Sequence, residues 1–455
     1  MKKVMNKKLY ERALKYHSEG KPGKIEVVPT KNAYTPEELS LAYTPGVAAP
    51  AIEIDKERWK AYRYTNKGNL VAVISNGSSV LGLGNIGALA SKPIMEGKAM
   101  LFKRCADIDA FDIELNDEDP DRFIATVQSL SPTFGGINLE DIKAPECFYI
   151  EERLRSLLDI PVLHDDQHGT AVTIAAALIN ACKITAKRLK NINVVICGAG
   201  SAGIATARML LTIGLSKEQI MMLDSRGVIT TRRGDMNRYK QEFATEHEIS
   251  TLDEAMKGAD AFIGVSKGDI LSDDNIRSMA SRPIVFALAN PTPEMPYKRV
   301  KEIRNDAIVA TGRSDAPNQI NNLLAFPYLF RGALDTLSTE INEQMKLAAA
   351  HAIADIAEDE VPQKIRRLYG KEFSFGSEYI LPKPEDRRLI TNVPVMVAKA
   401  AIESGVARHR IASYCEYVVS LVGRVENESY FAKESIRHKN RVRSYINNYF
   451  KEHEI

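Results

Sequence analysis

Asn191-Ile-Asn-Val-Val-Ile-Cys197-Gly198-Ala-Gly200-Ser-Ala-Gly203 decides the fold. An apolar strand runs directly into a Gly-x-Gly-x-x-Gly turn, and a helical pattern follows from Ile204 to Leu211. A second apolar run, Ile220-Met-Met-Leu223, ends in Asp224, at the spacing of about twenty residues that marks a dinucleotide-binding βαβ unit. The glycines permit the tight turn and let a pyrophosphate reach the helix N-terminus, and the acid can accept from a ribose 2′-hydroxyl. The expected cofactor contacts are therefore Gly198, Gly200, Ser201, Ala202, Gly203 and Asp224. Arg226 lies just beyond the acid and could instead meet a 2′-phosphate, so NAD and NADP both stay open.

Working outward, the strand rhythm continues downstream. Ala261–Ser266, Pro283–Asn290 and Ala307–Gly312 read as further buried strands. Polar residues at their ends, Asn290 among them, are what a parallel nucleotide-binding sheet presents to its ligand. Asn318-Gln-Ile-Asn321-Asn322 gathers several amides, which serve as turn formers or as ligand contacts. Beyond Tyr328 the chain reads as helical, with Ile341, Met345, Ala348, Ala352 and Ile356 on one face and another helix around Val393–Ser404.

Upstream, two acid pairs end short apolar runs: Ile-Asn-Leu-Glu140-Asp141 and Ile160-Pro-Val-Leu-His164-Asp165-Asp166. Neighbouring side chains on an extended segment point opposite ways, so one acid of each pair can face a site while the other braces it. Carboxylates gathered from two such ends call for a hard divalent cation such as Mg²⁺ or Mn²⁺. The other reading makes Glu140 and Asp141 a solvated loop pair and Asp166 a helix cap. Gly169-Thr170 reads as the start of a helix over Ala171 to about Thr185, capped by Thr170. Lys98 enters an apolar segment after Gly97; it is either a proton acceptor whose pKa burial lowers or a surface lysine whose stem is covered. Tyr43 precedes the Pro45-Gly46 turn, which presents its side chain or merely packs it. The second glycine run, Gly82-Leu-Gly84-Asn-Ile-Gly87, lacks a following strand-end acid and reads as close backbone approach to a site or strand.

A chain of 455 residues exceeds one core. Its net charge of +2 gives no pull toward nucleic acid or anionic lipid, and no apolar run reaches membrane-helix length. No secretory signal opens the chain. The five cysteines, at 105, 147, 182, 197 and 415, lack paired spacing, which fits reduced thiols in a cytoplasmic protein. The polar, basic tail from Arg408, including Arg437–Arg443, reads as a solvated or oligomer-contacting helix.

Taken in order, Leu-Ala-Tyr43-Thr-Pro-Gly-Val-Ala, Leu-Gly-Leu-Gly-Asn-Ile-Gly87, Pro-Ile-Met-Glu-Gly-Lys98, Ile-Asn-Leu-Glu140-Asp141-Ile, His-Asp165-Asp166-Gln-His-Gly-Thr and Gly-Ala-Gly-Ser-Ala-Gly203 resemble malic enzyme of the short bacterial type. The resemblance covers about residues 15 to 405. It implies an α/β protein with three parts. These are a mixed α/β substrate and metal domain over residues 1–165, a Rossmann-type parallel-sheet NAD(P) domain over 166–335, and helices over 336–455 that pack back. It implies oxidation and decarboxylation of L-malate to pyruvate and CO₂ with NAD or NADP and Mg²⁺ or Mn²⁺, in a cytoplasmic homodimer.

Carried over by motif, Glu140, Asp141 and Asp166 would hold the metal. Lys98 would be the general base, Asp165 would orient it, and Tyr43 would protonate the enolpyruvate. Asn290 and Asn322 would contact malate. Larger animal-type relatives carry a carboxylate-gripping arginine where this chain has Ser79, so either another cation serves, from this chain or a partner subunit, or the substrate is held more weakly. Longer bacterial relatives continue into an acetyl-phosphate-handling domain, for which this chain is too short. A malolactic-type lyase with bound NAD is the alternative within the same chemistry. A nucleotide sensor on an inactive scaffold is the alternative outside it, and Tyr43, Lys98 and the four acids argue against that one.

Overall fold

The computed structural model describes residues 7–80 and 82–425; the basic stretch at 437–443 lies outside them. The first sheet holds β1 (Leu70–Ser75), β2 (Asp109–Glu114), β3 (Gly136–Leu139) and β4 (Val162–His164). It is parallel throughout, in the order β2-β1-β3-β4. β1 is buried along its whole length, as its unbroken apolar reading requires in a parallel sheet covered on both faces. β2 lies at the edge and is only partly covered, in keeping with its alternation of acid and apolar residues. The chain adds β2 on one side of β1 and then returns to the other side for β3. Ligands of open α/β sheets collect at such a switch, outside the carboxyl ends of the strands. Glu140 and Asp141 follow β3 directly at that switch.

The second sheet holds β5 (Val194–Cys197), β6 (Ile220–Asp224), β7 (Gly227–Val228), β8 (Ala261–Gly264), β9 (Ile284–Ala287) and β10 (Ile308–Thr311). Its order is β10-β9-β8-β5-β6-β7, parallel except for the short β7. Its switch lies between β5 and β8, where Gly198 leaves β5. This is the Rossmann-type parallel sheet expected from the glycine turn.

The Asp165–Thr185 helix leaves β4 of the first sheet and packs against the Ser201–Thr212 helix of the second. It begins six residues earlier than Thr170 capping would give, so Thr170 lies inside the helix and caps nothing. Asp165 and Asp166 occupy its first turn instead, where the helix dipole favours negative charge. Downstream, the Glu343–Glu358 helix packs on Asp165–Thr185, and Arg388–Glu403 packs on both Phe326–Asp335 and Glu343–Glu358. Tyr414–Val425 lies against Arg388–Glu403 and the Ala88–Ala106 helix. The C-terminal helices thus fold back, and one apolar core runs from β1 through the Asp165–Thr185 helix into β5 and β8.

The first helices behave differently. Lys7–Ser18, Pro36–Ala42 and Ala48–Lys56 contain no buried residue. Leu14, Val27, Val28, Leu41 and Ile52 are all exposed on this arm. Lys24 tethers it to the body, its amide donating to Glu96 Oε2 at 3.1 Å and its ammonium to the Pro93 carbonyl at 2.6 Å. All five cysteines are free, with Cys182 and Cys197 buried. No helix among the described residues is long and apolar enough to cross a membrane.

Candidate active site

Lys98 enters from the Ala88–Ala106 helix and is buried, with 8% of its surface exposed. Its ammonium donates to Asp165 Oδ2, lies 2.8 Å from Glu140 Oε1 and sits 4.1 Å from the centre of the Phe326 ring. Asn322, in the 3₁₀ turn Asn322–Leu324, donates its amide to the same Asp165 oxygen at 2.6 Å. The other Asp165 oxygen, Oδ1, is buried and has no partner. Gly169 leaves room for it: a Cβ there would stand 1.8 Å from Oδ1. The glycine of His-Asp-Asp-Gln-His-Gly-Thr is therefore required by the acid one turn before it.

Asp141 and Asp166 complete the cluster. The Asp141 amide donates to Asp166 Oδ2 at 2.8 Å, and its carbonyl accepts from Ser79 N at 2.9 Å. Asp141 adopts φ of 53°, the left-handed region that a non-glycine residue enters at a cost of about 1 kcal/mol or more. The surroundings must hold it there, and the Ser79 and Asp166 contacts do so. Glu140 Oε2 accepts from Asn138 at 2.9 Å. Among the described residues, no three His, Cys, Asp or Glu side chains are disposed to share a metal ion. Glu140 is turned onto Lys98 and Asn138 instead.

The electrostatics follow from burial and crowding. Burial pushes the carboxyl pKa of Asp141 up, and Asp166 and Glu140 push it further. Burial also raises Asp165 and Glu140, against the pull of Lys98. Lys98 itself moves opposite to the lowered-pKa reading of its sequence. Burial alone would lower it, but Asp165 and Glu140, by charge and hydrogen bond, outweigh burial and raise it. Lys98 is thus held as an ammonium between Asp165 and Glu140.

The other expected site residues are less gathered. Tyr43 is the C-cap of Pro36–Ala42 and is 69% exposed, whereas Lys98, Glu140 and Asp165 are buried. Asn290 follows β9, half-buried, with its amide donating to the Leu288 carbonyl at 3.3 Å. Gly82 faces the adjoining Pro291, a Cβ there standing 3.5 Å from Pro291 Cδ, so the second glycine run closes on the nucleotide domain. In the glycine turn, a Cβ on Gly203 would stand 1.8 Å from the Gly198 carbonyl, whereas Gly200 has open space around it. One glycine serves close helix–strand packing and the other leaves an approach open, as a pyrophosphate at the Ser201 helix end needs. Asp224 is enclosed by Arg233, Lys240 and the Arg226 amide.

A brace behind the acids was not read from the sequence. Glu151 accepts from the His164 amide at 2.9 Å and from His168 Nε2 at 2.9 Å. Lys346 Nζ lies 3.1 Å from His168 Nδ1. An ammonium can only donate, so Nδ1 accepts and the ring is neutral with its proton on Nε2; burial lowers His168, consistent with this. A cleft lies against Glu151, His168 and Lys346 and is not lined by Lys98 or by Asp165. No local pattern marks Lys346 as the partner of a residue near position 168, because the pairing is made by helix packing.

Similarity to known proteins matches this geometry. The family "Malic enzyme, N-terminal domain" matches residues 22–155, and "Malic enzyme, NAD binding domain" matches residues 167–371. The chain is 52% identical to the NADP-dependent malic enzyme of Halomonas elongata, covering 87% of this chain and 94% of that one. It is 55% identical to the probable NADP-dependent malic enzyme of Rickettsia prowazekii, over 92% of this chain and 55% of that one. The crystal structure of malic enzyme from Pyrococcus horikoshii superposes with a TM-score of 0.86 at 41% identity, covering 96% of this chain and all of that one. The chain spans little more than half the length of the first curated relatives it matches.

Proposed function

Because the chain belongs to the malic enzyme family, we propose that it oxidises and decarboxylates L-malate to pyruvate and CO₂, with hydride passing to a nicotinamide cofactor. The observation that carries this reading is the buried Lys98 held between Glu140 and Asp165, with Asn322 on the same Asp165 oxygen. Glu140, Asp141 and Asp166 fit a hard divalent cation by the chemistry of the donor set: all are oxygen donors, all are raised by burial, and Lys98 offsets each of them. The open space at Gly200 and the Ser201 helix end fit a pyrophosphate.

When bound, the cation supplies Lewis-acid stabilisation of oxygen charge and offsets the carboxylates around Lys98, and the cofactor supplies the hydride acceptor. Lys98 takes the proton of the malate C2 hydroxyl, which requires its amine free. Asp165 holds that amine in place through Oδ2, with Asn322 fixing Asp165 in turn. Asn290 and Asn322 contact malate, and Asn290 also borders the cofactor. A Tyr43 hydroxyl protonates C3 after CO₂ departs.

The same reading includes a homodimer. Three helices that bury nothing, with Leu14, Leu41 and Ile52 exposed, make an apolar surface of the kind that calls for a partner. Tyr43 stands exposed on that arm while Lys98 is buried, so a second copy is a source of the Tyr43 hydroxyl that fits.

The test is product identity. L-malate is supplied with Mn²⁺ and, in parallel, NAD⁺ or NADP⁺, and pyruvate, lactate and reduced cofactor are measured. Pyruvate forming in step with reduced cofactor is expected. Lactate without net reduction would assign the lyase instead, and no product at all would remove the enzyme reading.

A further inference from the structure

We infer that Glu294 is a positioning residue for the nicotinamide end of the cofactor, one buried carboxylate that ties together the loops leaving β8 and β9. The inference rests on the nicotinamide-cofactor reading above and goes beyond it to what holds those loops.

The switch between β5 and β8 divides the second sheet into two mononucleotide-binding halves. The glycine turn and Asp224 belong to the β5–β6 half, which takes the adenosine side. The nicotinamide side therefore lies over the ends of β8 and β9. One loop leaves β8 at Val265, and the other leaves β9 at Leu288 and carries Asn290.

Glu294 has no exposed surface. The Ser266 amide donates to its Oε1 at 3.3 Å and the Ala289 amide to its Oε2 at 3.0 Å. Each donor stands two residues past the end of its strand. The backbone closes the same seam: Leu271 N donates to the Glu294 carbonyl at 3.2 Å and Asp269 N to the Pro293 carbonyl at 3.0 Å. The end of β8 leaves room for the acid, since a Cβ on Gly264 would stand 2.3 Å from Glu294 Cδ. Both tied loops abut the site. A Cβ on Gly198 would stand 2.7 Å from the Val265 carbonyl, and one on Gly312 2.5 Å from Asn290 Nδ2. A shift of either loop is therefore felt at the glycine turn or at Asn290.

A fully buried carboxylate is costly unless it is well bonded. Burial pushes the Glu294 carboxyl up, and the Ala289 and Ser266 amides pull it back. An N–H bond to a carboxylate is roughly twice as strong as one to a neutral acceptor, so the charge is what grips the loops. Glutamine is nearly the same shape but has one acceptor oxygen. It can hold one loop and must turn N–H groups on the other.

The experiment is calorimetric titration of the full chain with NADP⁺ and with 2′-phospho-ADP-ribose, which differ only in the nicotinamide; NAD⁺ and ADP-ribose form a second pair. The wild type should bind the dinucleotide more tightly than its nicotinamide-free partner. Glu294→Gln should cut that advantage by about fivefold or more, while affinity for the nicotinamide-free partner stays within about twofold. A role in folding alone would weaken both ligands alike. Glu294→Asp keeps the charge but is one methylene too short to reach both loops. It should also cut the advantage, and it stands in if the glutamine variant does not fold. Hydrogen exchange on the wild type needs no variant: the Ser266 and Ala289 amides should be protected. An advantage unchanged in a folded variant, equal losses for both ligands, equal binding of each pair by the wild type, or rapid exchange at both amides would overturn the inference. Malate turnover by the wild type separates the two readings. Pyruvate formation with an unchanged advantage in the variants would remove the inference and leave the proposed function. A variant-sensitive advantage without pyruvate would do the reverse.

Discussion

Asn322 donates its side-chain amide to Asp165 Oδ2 at 2.6 Å, the same oxygen that holds the Lys98 ammonium. One carboxylate oxygen thus joins a helix of the first sheet, the start of the Asp165–Thr185 helix and a turn that follows the second sheet. Removing Asp165, or the Asn322 amide that fixes it, should loosen the amine. Asp165→Ala should lower kcat by about 10²- to 10⁴-fold, the range for a misplaced proton acceptor. Asn322→Ala should lower it less, because Glu140 and Asp165 still hold Lys98. Steady-state kinetics check this, and an Asn322→Ala loss equal to or larger than that of Asp165→Ala would contradict the ranking.

The two glycines near the ends of the site helices should respond in opposite ways to alanine. At Gly169 the new Cβ meets Asp165 Oδ1 at 1.8 Å and Asn322 Cβ at 3.1 Å. Overpacking of this kind costs about 1–3 kcal/mol, and turnover should fall with it. Gly200 has open space and negative φ, so Gly200→Ala should change unfolding by less than about 0.5 kcal/mol while weakening cofactor binding. Urea unfolding and nucleotide titration of both variants decide the matter. Matching unfolding midpoints would contradict the packing argument.

Asp224 gives a pH signature. Burial pushes its carboxyl up, but hydrogen bonds from Arg233 and Lys240 outweigh burial and hold it below the usual carboxylate range. A folded-state value below the unfolded one of about 3.9 means a contribution that is complete above it and lost as pH falls toward the folded value. The stability gap between wild type and Asp224→Asn should therefore stay constant from about pH 7 to pH 5 and narrow below about pH 4. Denaturant unfolding across that series checks the sign, and a gap that widens on acidification would reverse it.

The exposed arm predicts complementation. If Tyr43 of one copy serves Lys98 of the other, neither Tyr43→Phe nor Lys98→Ala homodimers turn over at a normal rate. Subunits of the two variants, mixed and exchanged at equal amounts, should regain about a quarter of wild-type activity, since half the dimers are mixed and each has one intact site. No recovery after confirmed exchange would place Tyr43 in the site of its own chain.

The sequence by itself determined the dinucleotide unit, because strand, glycine turn, helix and strand-end acid are contiguous, and local backbone preference acts over that range. It also determined that Glu140, Asp141, Asp165 and Asp166 end two short apolar runs. Only the tertiary structure decided what those groups meet. Lys98, Asp165 and Asn322 converge through packing across two sheets. The sense of the Lys98 shift is a contest between burial and two acids far away in the chain. Asp224 is enclosed because Arg233 and Lys240 return to it from beyond β7. The Asp165–Thr185 helix starts before the residue that looked like its cap, since its first turn can carry the acids directly. Charge balance and burial are sums over neighbours in space, and no stretch of sequence contains those neighbours.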